Sequence, residues 1–413
     1  MRLAVRIAAL ALALISATSA SAASGDRLEK VVILSRHGVR AAMSTPEKLG
    51  ETSAQPWPRF AVQPGYLTAR GGQMVELMGG YYRALYTSEG LLKAGDCAGA
   101  YYWANVTQRT IATAGAYARG ITPGCPNTIN TVGEGHDDPM FEPVKVGVMK
   151  PDLALARAAV VGRVGGDLTA WSASHRQEVE QLDAFLMQCA KGPCPAVAGK
   201  RRALDAKPGF TDGDELAGLS GPEAFASGVT ESLLMAWADG GDFAGLGWKG
   251  VDETTLTKTF FLHQAEFDLR LRTPYVAKVL AGHLAGRLLP TIEGGEGAIG
   301  PADAKMVVIA GHDGTLASLG GLLRMEWTLP GYQPNQIQPG GALVFERWLR
   351  ADGVRVIRAR FTGQSLGQLR SAEPLTMDKP PLSAPIFIPG CSTATPAFDC
   401  PVDRFDAVVK AAL

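Results

Sequence analysis

Val31-Val32-Ile33-Leu34-Ser35-Arg36-His37-Gly38-Val39-Arg40 is the stretch from which the rest of this chain can be read. Its first four residues are apolar and mostly β-branched, the composition of a strand buried on both faces of a parallel sheet. Charge then arrives within two residues. Arg36, His37 and Arg40 fall where that strand ends, and Gly38 lets the backbone turn sharply or a ligand come close. In open α/β sheets ligands bind beyond the carboxyl ends of strands, so two arginines and a histidine there predict an oxyanion site. Arginine presents a planar fork to phosphate oxygens, and a neutral imidazole nitrogen can attack phosphorus.

A second stretch follows the same logic. In Lys305-Met306-Val307-Val308-Ile309-Ala310-Gly311-His312-Asp313-Gly314 an apolar run again ends in chemistry-bearing side chains, here a histidine and a carboxylate. Gly135-His136-Asp137 contains the same tripeptide but has no strand before it. Context therefore assigns the chemistry to His312 and Asp313 and leaves His136 in a surface turn. A third segment, Tyr101 to Thr110, reads as an aromatic strand, a polar turn and the start of a helix carrying Arg109.

Arg36-His37-Gly38-Val39-Arg40 resembles the Arg-His-Gly-x-Arg signature of the histidine acid phosphatases, a clade of the histidine phosphatase superfamily. His312-Asp313 resembles the second motif of its phytase and glucose-1-phosphatase branch. Leu67-Thr68-Ala69-Arg70-Gly71, Glu326 to Pro330 and Pro339 to Trp348 extend the likeness, toward enterobacterial periplasmic phytase-type enzymes, over most of the chain. The resemblance implies an α/β histidine phosphatase fold, a mixed, mainly parallel central sheet flanked by helices with a smaller all-α domain inserted. It implies His37 as nucleophile and Asp313 as acid, with Arg36, Arg40, Arg109 and His312 holding the phosphate. Arg109 enters this set because Gln108-Arg109-Thr110 matches the family's helix start, where backbone N–H groups favour an anion.

The same resemblance implies a substrate lining. Thr230-Glu231 matches a Thr-Glu whose glutamate faces the cavity in phytase-type members, and His263 lies in a segment found near their cleft. Met43 and Ser44 follow the signature in Ala41-Ala42-Met43-Ser44, where phytase-type members usually read Ala-Pro-Thr-Lys. A lysine that would reach a distant phosphate is thus missing. Gly314 also replaces the threonine of phytases or the serine of glucose-1-phosphatases. His175 and His283, in helical patterns among polar neighbours, are expected to be exposed or capping.

Composition bounds the partners. The chain has 413 residues with 40 basic and 40 acidic side chains, so no global field draws in nucleic acid, and an anion must be held by local arginines. The N-terminus reads as a secretory signal over residues 1–22, with Arg2 and Arg6 before the apolar run Ile7 to Ile15 and small residues at Ala20-Ser21-Ala22. Nine apolar residues are too few to span a bilayer, so no membrane segment is expected, and the protein is expected to be periplasmic or secreted. Six cysteines fit an oxidising compartment. Fifteen pairings exist in principle. Proximity favours Cys97 with Cys125, Cys189 with Cys194 and Cys391 with Cys400, and bacterial members of the resembling family have similar pairs. No Cys-x-x-Cys or clustered Cys/His spacing points to a metal, and no cofactor is expected.

Alanine-rich amphipathic stretches from Pro151 to Lys258 predict the inserted helical domain at 151–258, leaving 23–150 and 259–413 as the α/β catalytic body. The expected function is a secreted acid phosphomonoesterase working through a phosphohistidine, with phytate-type specificity. An acid of aspartate's ordinary pKa, ~3.9, would favour acidic pH. The alternatives are a glucose-1-phosphatase or other sugar-phosphate phosphatase, and a non-catalytic phosphate binder. The partner is a small phosphate ester, and the oligomeric state stays open, a monomer included.

Overall fold

Val31 and Ile33 point to one face of strand β1 (Arg27–Arg36) and Val32 and Leu34 to the other, and all four are buried. A strand alternates its side chains, so burial of both sets requires packed layers on both sides of the sheet. Val31 and Ile33 meet Met78, Tyr82 and Tyr117, from helices Ala69–Ser88 and Gln108–Ile121. Val32 and Leu34 belong to the larger core, built with helices Pro274–Glu293, Asp313–Leu322 and Val402–Ala412 and with the helical segment between residues 151 and 271.

The computed structural model describes residues 25–93, 95–189, 194–213 and 216–413. The expected signal segment, 1–22, lies outside the described residues. The further strands are β2 (Ala100–Ala104), β3 (Ile129–Asn130), β4 (Gly209–Phe210), β5 (Leu219–Ser220), β6 (Met306–Gly311), β7 (Ala342–Leu349), β8 (Arg355–Gly363), β9 (Leu382–Ile386) and β10 (Cys400–Pro401). The main sheet runs β10-β8-β7-β1-β6-β2-β3, with β9 also on β8. The mixed sheet is parallel from β1 through β6 and β2 to β3, and antiparallel from β1 outward through β7 and β8. The central pair is in register from Val31↔Met306 to Arg36↔Gly311, so both sequence motifs end at one edge of the sheet.

The segment from 151 to 258 is mainly helical, with helices Leu153–Arg163, Leu168–Ser174, Arg176–Leu186 and Pro222–Ala238. It also holds the short antiparallel ribbon β4-β5, which the sequence pattern had not indicated. Residues 258 and 259, taken as a boundary, fall inside the continuous helix Glu253–Leu271. Pro274 does restart a helix, as expected where proline removes an N–H donor. Cys97–Cys125, Cys189–Cys194 and Cys391–Cys400 are disulfide-bonded. Among the described residues no helix is long and apolar enough to cross a membrane.

His175 takes the capping position expected of it, between helices Leu168–Ser174 and Arg176–Leu186, but is not exposed. It sits at the junction of two helices with its side chain mostly buried, Nδ1 2.9 Å from Glu223 Oε1 and its ring edge-on to Trp171 and Phe261. A polar sequence neighbourhood concealed this, because its apolar contacts come from its own preceding turn and from residue 261. His136 is exposed in a turn.

Candidate active site

Adjacent parallel strands deliver the two motifs side by side. The His37 N–H donates to Gly311 O at 2.9 Å, and the His37 carbonyl accepts from Gly340 N at 3.0 Å, which pins the backbone just past the end of β1. Gly38 N–H donates to Thr113 Oγ1 at 3.0 Å. The loop is tight against the start of helix Ala69–Ser88, where a Cβ on Gly71 would stand 2.0 Å from Val39 O. Only a glycine permits that approach.

His37 is 2 % exposed. Its Nδ1 lies 2.8 Å from Gly38 O. A carbonyl oxygen only accepts, so Nδ1 carries the hydrogen and Nε2 keeps its lone pair. Burial first, and then the charges of Arg36 and Arg40, push its pKa well below the ordinary histidine value. That shift favours the neutral imidazole, and the tautomer leaves a free nitrogen of the kind a nucleophile needs.

Arg36, fully buried at the end of β1, donates from Nη1 to Ile337 O at 2.7 Å and from Nη2 to Asp313 Oδ2 at 2.8 Å, and Nη2 also bonds Glu231 Oε1. Arg40 Nη2 lies 3.5 Å from the same Glu231 oxygen. Glu231 is a buried carboxylate whose Oε1 ties helix Pro222–Ala238 to both signature arginines. Arg109, the second residue of helix Gln108–Ile121, donates from Nη2 to His312 Nδ1 at 3.3 Å. Because arginine cannot accept, that bond leaves the His312 hydrogen on Nε2. Burial and the neighbouring Arg109 charge lower the His312 pKa to about 4. The Nε nitrogens of Arg36, Arg40 and Arg109 are all buried without a hydrogen-bond partner among the described residues.

Asp313 opens helix Asp313–Leu322, and its Oδ1 accepts from Gly314 N at 2.8 Å. Burial disfavours its charge, but the Arg36 guanidinium outweighs burial and holds the carboxyl well below the usual carboxylate range. The free protein thus carries an ionised Asp313, not the readily protonated acid of ordinary pKa expected from sequence. With both imidazoles neutral, three guanidiniums face two carboxylates, a local excess of one positive charge.

Of the remaining expected residues, Met43 is exposed, with its Sδ within 3.1 Å of where a Gly65 Cβ would be, a point 3.7 Å from Arg109 Nη1. Ser44 lines a cavity beside the signature loop. His263 is buried, stacked on Phe267 with Nδ1 2.9 Å from Ser227 Oγ. His283 is half-buried on helix Pro274–Glu293, next to Arg287 and away from these residues.

Sequence reading missed two supports. Asn105, fully buried, donates to Glu142 Oε1 at 2.7 Å and accepts from Thr107 N at 3.2 Å, bracing the turn that presents Arg109. Phe141 lies edge-on to the His312 ring, at 6.4 Å between ring centres. Neither carries a local signal, since their partners are 37 and 171 positions away.

A model of the histidine phosphatase superfamily, branch 2, matches residues 27–362. Phytase AppA from Escherichia coli K12 is 33 % identical over 406 residues, covering 94 % of this chain and 92 % of its own length. A glucose-1-phosphatase from Salmonella typhimurium is 28 % identical over 425 residues, covering 99 % and 98 %. Among solved structures, Hafnia alvei phytase in complex with myo-inositol hexakis sulphate superposes with a TM-score of 0.85 at 33 % identity, over 95 % of this chain and 98 % of that one.

Proposed function

The chain belongs to branch 2 of the histidine phosphatase superfamily, and from that membership we propose that it hydrolyses phosphate monoesters through a phosphohistidine at His37, with inositol polyphosphates as the favoured substrate class. One observation carries the chemistry. The unprotonated Nε2 of a neutral His37 stands among three arginines whose buried Nε–H groups lack protein partners. Buried donors are ordinarily satisfied, and a phosphoryl group offers oxygens to all three.

In the first step His37 Nε2 attacks phosphorus as the P–O bond to the alcohol breaks, and Asp313 protonates the departing oxygen. Arg36, Arg40, Arg109 and the Nε2–H of His312 hold the other oxygens and offset their charge. Asp313 is ionised in the free protein, so its proton must arrive with the substrate. A phosphomonoester monoanion carries one below its second pKa of about 6, and a bound phosphate offsets the Arg36 charge that keeps Asp313 ionised. In the second step Asp313 takes a proton from water as the water attacks phosphorus, which frees His37 and inorganic phosphate.

On this reading an acidic optimum comes from the protonation state of the ester. Phytate is favoured over sugar phosphates because Phytase AppA and the Hafnia alvei phytase are each 33 % identical to this chain, against 28 % for the Salmonella typhimurium glucose-1-phosphatase. The uncharged Met43-Ser44 pair favours the sugar-phosphate reading instead. A turnover panel of phytate, glucose 1-phosphate and p-nitrophenyl phosphate at pH 4–6 decides between them. Mixing with labelled substrate and quenching in alkali, where phosphohistidine survives, should place the label on His37; label elsewhere, or no turnover of any ester, would reject the mechanism. The three disulfides and the signal-like N-terminus support an oxidising, extracytoplasmic location.

A further inference from the structure

A cavity of about 310 Å³ opens beside the site, between the loop after the signature and helix Pro222–Ala238, and Ser44, Lys48, Glu51, Arg201, Phe225 and Gly228 are among its lining residues. Two of its lining residues are neighbours, along the chain, of residues in the phosphate site. Ser44 is four residues beyond Arg40, and Gly228 is one helical turn before Glu231, which bonds Arg36 and Arg40. Residues three apart on a helix share a face.

Two cations in this cavity are unpaired. Lys48 and Arg201 make no ion pair with any described residue, while the neighbouring Arg59 is matched to Glu47 at 3.2 Å. Arg201 is held over the Phe225 ring, 5.6 Å from its centre, and its backbone N–H bonds Glu51 O at 2.7 Å. The guanidinium is thus steadied by an aromatic face without being neutralised. One opposing charge, Glu51, stands in the same lining, which leaves the cavity with one positive charge in excess. Between Arg40 and Lys48 the chain has no other cation.

We propose that Lys48 and Arg201 form a second anion subsite that takes a distal phosphate of a polyphosphorylated polyol while its scissile phosphate lies at His37. This rests on the phosphomonoesterase reading above and adds a specificity determinant to it. A monoester with one phosphate cannot occupy both places, so the subsite acts on the choice between substrates. Glu51 opposes it and limits the preference.

The test compares kcat/KM for phytate and for p-nitrophenyl phosphate in the wild type, Lys48→Met, Arg201→Gln and Glu51→Gln, each checked for an unchanged melting temperature. The first two should lower kcat/KM for phytate about fivefold each, through KM, and Glu51→Gln should raise it by a similar factor, the range of one exposed charge pair. The p-nitrophenyl phosphate values should stay within about twofold, and the phytate effects should shrink with added salt. Equal changes on both substrates, no change on either, or a wild type that turns over p-nitrophenyl phosphate but not phytate would overturn the subsite and leave the phosphatase reading standing. Absence of turnover on every ester would instead overturn the phosphatase reading itself. If Arg201→Gln fails to fold, Lys48→Met and Glu51→Gln, which move in opposite directions, decide alone.

Discussion

The imidazoles of His37 and His312 stand 5.7 Å apart between ring centres and at 72° to each other. They come from positions 275 residues apart, and the parallel register of β1 on β6 sets them side by side. Each is neutral, with opposite tautomers imposed by different partners. Gly38 O holds the hydrogen on His37 Nδ1, and the Arg109 guanidinium leaves it on His312 Nε2. One ring is left with a lone pair and the other with a donor, which is what attack on phosphorus and restraint of its oxygens respectively require.

His37→Ala should remove turnover by roughly ten-thousand-fold or more, because a nucleophile acting within a unit cannot be replaced by its neighbours. Circular dichroism and the melting curve should remain those of a folded protein, since the backbone bonds to Gly311 and Gly340 do not involve the side chain. Residual activity above about 1 % would rule His37 out.

Asp313→Asn keeps the acceptor for Gly314 N but cannot donate a proton to a leaving alkoxide. Esters of aliphatic alcohols should lose about a hundredfold or more in kcat, while p-nitrophenyl phosphate, whose phenolate leaves unaided, should lose far less. A uniform loss across a leaving-group series would show that Asp313 is not the acid.

Glu231→Gln removes the negative charge shared by Arg36 and Arg40. Inorganic phosphate should then inhibit about fivefold more tightly, as more of the guanidinium charge faces the ligand. Stability should fall by about 1–3 kcal/mol, since Arg36 is fully buried and loses one of its two carboxylates. Weaker phosphate binding in this variant would count against a purely electrostatic role for Glu231.

His312 supplies a pH signature of stability. Its folded pKa of about 4 lies below the unfolded value near 6.5, so the unfolded chain binds more protons between those limits. The contribution is fully present above pH 6.5, declines as pH falls toward 4 and changes no further below that. His37, shifted in the same direction by burial and its arginines, adds to the slope. Melting temperatures of the wild type should therefore fall across this window more steeply than those of His312→Gln, and equal slopes would refute the assignment.

Gly71→Ala should distort the signature loop, because the new Cβ would meet Val39 O at 2.0 Å and backbone cannot yield as a flexible side chain does. A kcat loss of about tenfold or more is expected, with KM for p-nitrophenyl phosphate also raised. Wild-type kinetics would mean that the helix and loop can separate without moving Arg40.

The motifs were legible because strand ends leave a local record, an apolar β-branched run followed at once by charge. Helix Pro222–Ala238 was equally plain, with proline at its first turn and apolar residues throughout. Glu231 was not, since nothing local says that its carboxylate closes on arginines 195 and 191 residues earlier. The burial of His175 at its helix cap was hidden for the same reason, as Glu223 and Phe261 approach only in the folded chain.

The sequence by itself determined which side chains could act. A covalent order of strand, Arg-His-Gly-x-Arg, strand, His-Asp needs no coordinates to suggest phosphoryl chemistry. Tertiary structure alone decided their states, namely which imidazole nitrogen bears hydrogen, that Asp313 is ionised before substrate arrives, and that Lys48 and Arg201 share a cavity. Those properties depend on burial and on charges within a few ångströms, and chain folding sets such distances independently of separation along the polypeptide.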